Sequence, residues 1–125
     1  MTAIVFLLVA LAGGLGAAAR FALDYIVTGA TTRRAPIGTI VINVSGSLLL
    51  GFVIGLGSDA MLNEAWLAVL GSGFLGGYTT FSTASYETVR LVQQRRLAVA
   101  GINAFGTLIL ATFAAAAGLA FASLV

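Results

Sequence analysis

The chain has 125 residues, 60% of them hydrophobic and only 8% charged, with a mean hydropathy of +1.10, whereas an ordinary soluble domain carries about 25% charge. It lacks Cys and His, and all six basic residues are Arg, which removes thiol nucleophiles, imidazole acid–base chemistry, zinc sites and Schiff bases and argues against an enzyme. The net charge of +2 is too thin and too dispersed for a nucleic-acid surface, and the absence of Cys leaves the redox compartment open.

Four stretches carry no charge: 1–19, 35–58, 65–86 and 97–125, or 19, 24, 22 and 29 residues. Each matches or exceeds the roughly 20 residues a helix needs to cross a bilayer. The reading is a single all-α membrane domain over 1–125 with four transmembrane spans. The first stretch has no basic start and ends in a charged turn, not a small-residue cleavage site, so it is expected to stay in the mature protein.

The first span is expected over 3–26. Arg20 and Asp24 stand one turn apart near its end, placed to meet each other or lipid headgroups, and Gly13, Gly14, Gly16 and Ala17 to Ala19 make one face very small. A loop over 28–35 with Arg33 and Arg34 leads to Pro36, the only proline, in the first turn of the second span, 36–56, where a helix accepts it. Along that span Thr39, Asn43, Ser47, Gly51 and Gly55 recur every fourth residue and share one face. The polar part of this track suits either hydrogen bonds between helices or the lining of a pore. An amide as deep as Asn43 must find partners or water.

After Asp59 and Glu64 comes the third span, 65–94. Its run Gly71-Ser72-Gly73-Phe74-Leu75-Gly76-Gly77-Tyr78-Thr79-Thr80-Phe81-Ser82-Thr83 predicts a break over about 76–80. A break frees carbonyls at the end of one half, which gather cations, and N–H groups at the start of the other, which favour anions. Hydroxyls bonding back to their own helix would instead give only a bend. Phe81 offers the positive edge of its ring. The fourth span, 97–123, follows Arg95 and Arg96 and carries Asn103 and Thr107 one turn apart, either as helix contacts or as pathway groups. The spacings Gly51-x-x-x-Gly55 and Gly73-x-x-x-Gly77 mark close helix packing.

Four landmarks, in order, resemble the Fluc/CrcB family of fluoride channels over nearly the whole chain: Gly13-Gly14-x-Gly16-Ala17-x-x-Arg20-Phe21, Pro36-x-Gly38-Thr39-x-x-x-Asn43-x-x-Gly46-Ser47, Gly76-Gly77-Tyr78-Thr79-Thr80-Phe81-Ser82-Thr83, and Glu87. The third is the most specific. The resemblance implies a fluoride channel in the cell (inner) membrane, passive and multi-pass, formed by two antiparallel subunits with two narrow pathways. It further implies a structural sodium ion at the dimer centre, held by the carbonyls of Gly76 and Thr79. Asn43 would line the pathway, Phe81 would be one of two phenylalanines whose ring edges meet fluoride, Ser82, Thr83 and Thr107 would supply hydroxyls, and Arg20 would belong to the entrance. Fluoride holds its water tightly, so such a pathway replaces that water with amide, hydroxyl and ring-edge donors that bind weakly enough for release. Where the family usually has its second Phe, three residues after the first, this chain has Ala84. A homodimer would lack that ring in both pathways; a related homologous chain as the second subunit could supply one.

A small multidrug exporter shares the four-helix size, but needs an ionisable carboxylate buried mid-span, and Asp24 and Glu87 lie near helix ends. A non-conducting scaffold or accessory subunit of a heteromeric channel is the remaining alternative. Counted by side, the first and third connections carry Arg33, Arg34, Arg95 and Arg96, while the termini and second connection carry no Arg. This bias predicts mainly one orientation, Arg loops inside and both termini outside; the alternative is that Asp24 and Glu87 neutralise Arg20 and Arg90 and leave a weak bias that a homodimer overrides.

Overall fold

The computed structural model describes residues 1–30 and 35–125 and is all-helical, with no strand among the described residues. Arg33 and Arg34 lie outside the described residues. Helix α1 is Ala3–Ala30 and α2 is Ile37–Ser58. The third span is built from α3, residues 64–78, and α4, Ser82–Gln93; α5, Leu97–Ala122, is the fourth. Three helices, α1, α2 and α5, are each long and apolar enough to cross a membrane.

Helix α1 continues four residues past its predicted end at Ile26. No proline follows until Pro36, and the Thr28 hydroxyl donates back one turn to Asp24 Oδ1 at 3.4 Å, which keeps Thr28 in register with the helix. The other span limits move by one or two residues, as frayed ends do. Asn63 opens α3 by accepting from the Trp66 N–H at 3.0 Å, an ordinary N-cap.

Two features were not anticipated. Over Ala68–Leu75 in α3 and Ile102–Gly106 in α5 the helix widens to π-type turns, the first closing with the Gly76 N–H on the Gly71 carbonyl. Widenings of the π type inside α-helices often accompany functional sites.

Packing rests on backbone-to-backbone approach. A Cβ on Gly77 would overlap the Gly13 carbonyl of α1, and one on Gly51 would overlap the Ala115 carbonyl of α5. Small residues substitute here for a hydrophobic driving force, which lipid does not supply between helices. Gly76 and Gly77 are themselves helical. The glycine pair at the start of the expected break over 76–80 therefore lies inside helix α3, and the backbone departs from it only at Thr79, whose φ is −78° and ψ 159°. A small core forms where the spans cross: Ile42, Leu75 and Tyr78, joined by Phe74, whose ring stacks on Tyr78 at 6.2 Å between centroids. Large apolar side chains along α1 and α5, among them Phe6, Leu11, Leu15, Phe105 and Phe113, point outward, as helices bathed in lipid require.

Candidate functional site around the interruption

Helix α3 ends at Tyr78 and α4 begins at Ser82, so the backbone polar groups of residues 76–83 need partners that a continuous helix would supply. Where these bonds go can be followed atom by atom. The Thr79 N–H still reaches back to the Leu75 carbonyl at 3.0 Å. The Thr80 N–H, which a helix would give to Gly76, instead donates to Asn43 Oδ1 at 2.8 Å. Asn43 Nδ2 returns the bond to the Thr80 carbonyl, also at 2.8 Å. This two-way exchange with the N–H and C=O of one residue is what a neighbouring strand does in an antiparallel ladder.

The Thr83 N–H would in a helix bond the Thr79 carbonyl, but it is taken by Thr80 Oγ1 at 3.1 Å. That hydroxyl donates in turn to Thr83 Oγ1 at 3.0 Å. Thr80 thus caps α4 as Ser and Thr commonly cap helices. The outcome is that the carbonyls of Gly76 and Thr79 are both without their helical donors. Gly76 is exposed and Thr79 half-buried.

Two further ties from α2 fix the pieces on either side. Ser45 Oγ and the Tyr78 hydroxyl are 2.9 Å apart at the last turn of α3. Thr39 donates to Glu87 Oε1 at 3.0 Å on α4. Of the polar track on α2, Thr39 therefore bonds to a neighbouring helix and Asn43 to the interruption, while Asn43 and Ser47 also line a cavity. Back-bonding occurs as well: Thr79, Ser85 and Thr88 hydroxyls donate to the carbonyls of Leu75, Phe81 and Ala84.

That cavity, about 570 Å³, lies between α2, the interruption, α4 and α5. Asn43, Phe81 and Thr107, three of the residues named from sequence, meet in its lining; Ser82, Thr83 and Arg20 are outside it. The lining carries amide and hydroxyl groups, Asn43, Ser47, Thr79, Thr80, Ser85, Thr88, Asn103 and Thr107, among apolar side chains, with no charged residue. Phe81 is 87% exposed. Ala84 also borders the space. On α5, Asn103 is almost wholly buried and donates to Thr88 Oγ1 at 2.8 Å and the Ala84 carbonyl at 3.2 Å, while its Oδ1 and the Thr107 hydroxyl have no protein partner. Buried polar atoms of this kind call for water or another small hydrogen-bonding species.

A second cavity, about 430 Å³, opens at the end of the bundle where α1 and α4 finish and α2 and α5 begin. Asp24, Glu87, Arg90 and Arg96 line it together with Pro36 and Gly38. Gly38 makes room for the Asp24 carboxylate. Arg20 and Asp24 do not pair; no ion pair occurs among the described residues. Arg20 instead carries its guanidinium carbon 5.2 Å from the Phe21 ring centroid and leaves Nε buried without a partner.

Sequence reasoning missed Thr80, only 9% exposed, and the Ser45–Tyr78 tie. A hydroxyl three residues before Thr83 was a capping signal hidden in a run of similar residues; the Ser45 contact had no signal, since it spans 33 positions.

A family model described as "CrcB-like protein, Camphor Resistance (CrcB)" matches residues 7–119. The chain is 51% identical over 119 residues to a protein of Leifsonia xyli named "Fluoride-specific ion channel FluC 1", covering 95% of this chain and 87% of that one. It is 46% identical over 120 residues to "Fluoride-specific ion channel FluC 2" of Cutibacterium acnes, covering 92% and 94%. With "Fluoride-specific ion channel FluC" of Thermus thermophilus it shares 40% identity over 113 residues, 90% of each chain.

Proposed function

Because the chain belongs to the CrcB-like family, we propose that it is a fluoride-selective channel of the cell membrane, passive and multi-pass, and not an enzyme. The observation that carries this reading is the uncharged cavity beside the interruption. It offers amide and hydroxyl groups at short spacing and keeps the carboxylates and arginines at the bundle end. Fluoride gives up water only to such donors, and a full positive charge in the same place would hold it. A proton-coupled exporter is not favoured, since the cavity has no carboxylate to carry the proton.

On this reading fluoride passes along Asn43, Phe81 and Thr107, with Ser82 and Thr83 adjoining and Arg20 drawing the anion toward the mouth. The second subunit, antiparallel and either identical or a related homologous chain, covers the face on which Phe81 stands exposed. Ala84 leaves space there for a ring from that subunit.

A structural sodium ion fits the donors present: hard cations take oxygen ligands, and the Gly76 and Thr79 carbonyls have both lost their helical donors. When bound, the ion would neutralise carbonyl dipoles that lipid leaves unsatisfied. Gly76 and Thr79 would hold it, while Asn43 and Thr80 keep the competing N–H groups away.

The test is fluoride release from proteoliposomes holding the purified chain, followed with a fluoride electrode, with chloride as the comparison ion. Release well above empty vesicles and selective over chloride is expected. Release no faster than empty vesicles, or equal for chloride, overturns the reading.

A further inference from the structure

A carbonyl can serve a cation or a helix, but the donor that would close the helix must first be diverted. At the interruption two N–H groups are diverted by two different side chains. Thr80 N–H goes to Asn43 Oδ1 at 2.8 Å and Thr83 N–H to Thr80 Oγ1 at 3.1 Å. Each lies four residues beyond the carbonyl it abandons, Gly76 in one case and Thr79 in the other. We propose that Asn43 and Thr80 are positioning residues that keep the Gly76 and Thr79 carbonyls free by capturing the amides that would otherwise bond them.

The chemistry suits the residues. Asn43 offers an acceptor and a donor in one plane, which matches the N–H and C=O of a single extended residue. With both used on Thr80, its carboxamide retains one hydrogen and one lone pair for the cavity. Its principal work is thus on the backbone. Aspartate would keep the acceptor but, ionised, lose the donor and set an anion against the Thr80 carbonyl. Alanine leaves both Thr80 groups unpaired in a medium without water, and the nearest remedy is for the Thr80 N–H to return to the Gly76 carbonyl. Thr80 works on a shorter lever, as a cap with its own hydroxyl fixed by Thr83 Oγ1. This inference deepens the proposed function, since the freed carbonyls are the ones assigned there to sodium, but the bond pattern itself does not depend on the ion transported.

The experiment reads single residues in isotope-labelled protein in lipid bicelles, by amide hydrogen exchange and carbonyl ¹³C shift. In the unaltered chain the Thr80 and Thr83 amides are expected to exchange about tenfold or more slowly than those of Phe81 and Ser82, the ratio one hydrogen bond supplies. Asn43→Ala should abolish the protection of Thr80 and move the Gly76 carbonyl toward its hydrogen-bonded shift, leaving α2 glycines such as Gly55 unmoved. Thr80→Val should do the same to the Thr83 amide and Thr79 carbonyl, and Thr80→Ser should restore both. Equal exchange of Thr80 and Phe81 in the unaltered protein, which needs no variant, overturns the proposal. So does an unmoved Gly76 carbonyl in Asn43→Ala, or no restoration by Thr80→Ser. Fluoride release from the same preparation reports separately: an unaltered protein without flux counts against the channel reading and leaves the carbonyl assignment standing.

Discussion

The Thr39 hydroxyl of α2 donates to Glu87 Oε1 of α4 at 3.0 Å, and the other carboxylate oxygen, Oε2, is buried without a partner. Thr39 is itself 3% exposed, so this bond joins the second span to the third at the end of the bundle where Asp24 also sits. An acceptor-only group thus has one donor where it has room for more.

The two partners respond differently to substitution. Thr39→Val removes the one donor to Oε1, and destabilisation by about 1 to 3 kcal/mol is expected for a buried acceptor left unsatisfied. Thr39→Ser keeps the hydroxyl and should lose less. Glu87→Gln keeps an acceptor for Thr39 and adds a donor, so it should match or exceed the unaltered chain. Reversible unfolding in mixed micelles of increasing SDS content checks the order; Glu87→Gln falling below Thr39→Val would refute it.

Close approach of backbones predicts which glycines are fixed. At Gly77 a methyl group would meet the Gly13 carbonyl, and at Gly51 the Ala115 carbonyl, neither of which can rotate aside. Gly77→Ala and Gly51→Ala should each cost about 1 to 3 kcal/mol or more as the helices separate. Gly14 faces open space, and Gly14→Ala should be neutral or gain up to about 1 kcal/mol from helix propensity. The same unfolding assay decides, with equal losses at all three positions as the contrary result.

Phe81 allows stability and transport to be separated. Its ring is 87% exposed and borders the uncharged cavity, so it packs against little in its own chain. Phe81→Ile should leave the unfolding of the single chain within about 0.5 kcal/mol of the original, as surface substitutions do. Fluoride release should nevertheless fall by about tenfold or more, because an aliphatic side chain lacks the positive ring edge. Undiminished release would remove Phe81 from the pathway.

How far the sequence carries these assignments depends on range. Charge-free length marks the apolar stretches, and three of the resulting helices are long and apolar enough to cross a membrane; the glycine spacings mark real contacts, since only a missing Cβ lets backbones meet. The unusual stretch of the third span is visible as composition, but its internal division is not. Gly76 and Gly77 look like the helix breakers, yet they remain helical and serve the contact with α1, while the extended residue is Thr79. That choice is made by Asn43, which lies 37 positions away and offers Thr80 a better partner than Gly76 does. The widened turns at 68–75 and 102–106 leave no mark in hydrophobic period and were invisible for that reason. Among the site residues, Asn43, Phe81 and Thr107 come together in one cavity lining, whereas the placement of Arg20 against Phe21 reflects a side-chain choice that spacing alone does not dictate.

Orientation in the membrane follows from where the arginines gather. Pro36 and Gly38, just after the first connection, and Gln94 and Arg96, in the third, line one cavity, which puts both connections at the same end of the bundle. Arg33, Arg34, Arg95 and Arg96 belong to those two connections, and the second connection carries Asp59 and Glu64 with no basic residue. Short basic connections are retained on the cytoplasmic side, and carboxylates contribute little to the choice, so the imbalance of four to none favours the Arg end inside and both termini outside. Arg20 and Arg90 add to the same end, and neither is cancelled by an ion pair among the described residues. The chain has no Cys, so a single cysteine placed at residue 2, residue 94 or residue 124 is the sole thiol in each variant. A membrane-impermeant maleimide applied to intact cells should label positions 2 and 124 and spare 94, with 94 reacting only after the membrane is opened. That pattern, in a chain expressed alone, calls for a second subunit of opposite orientation supplied by another sequence, in keeping with the space left at Ala84. Equal labelling of all three positions from outside, together with full fluoride release, would instead establish that one sequence inserts both ways and pairs with itself.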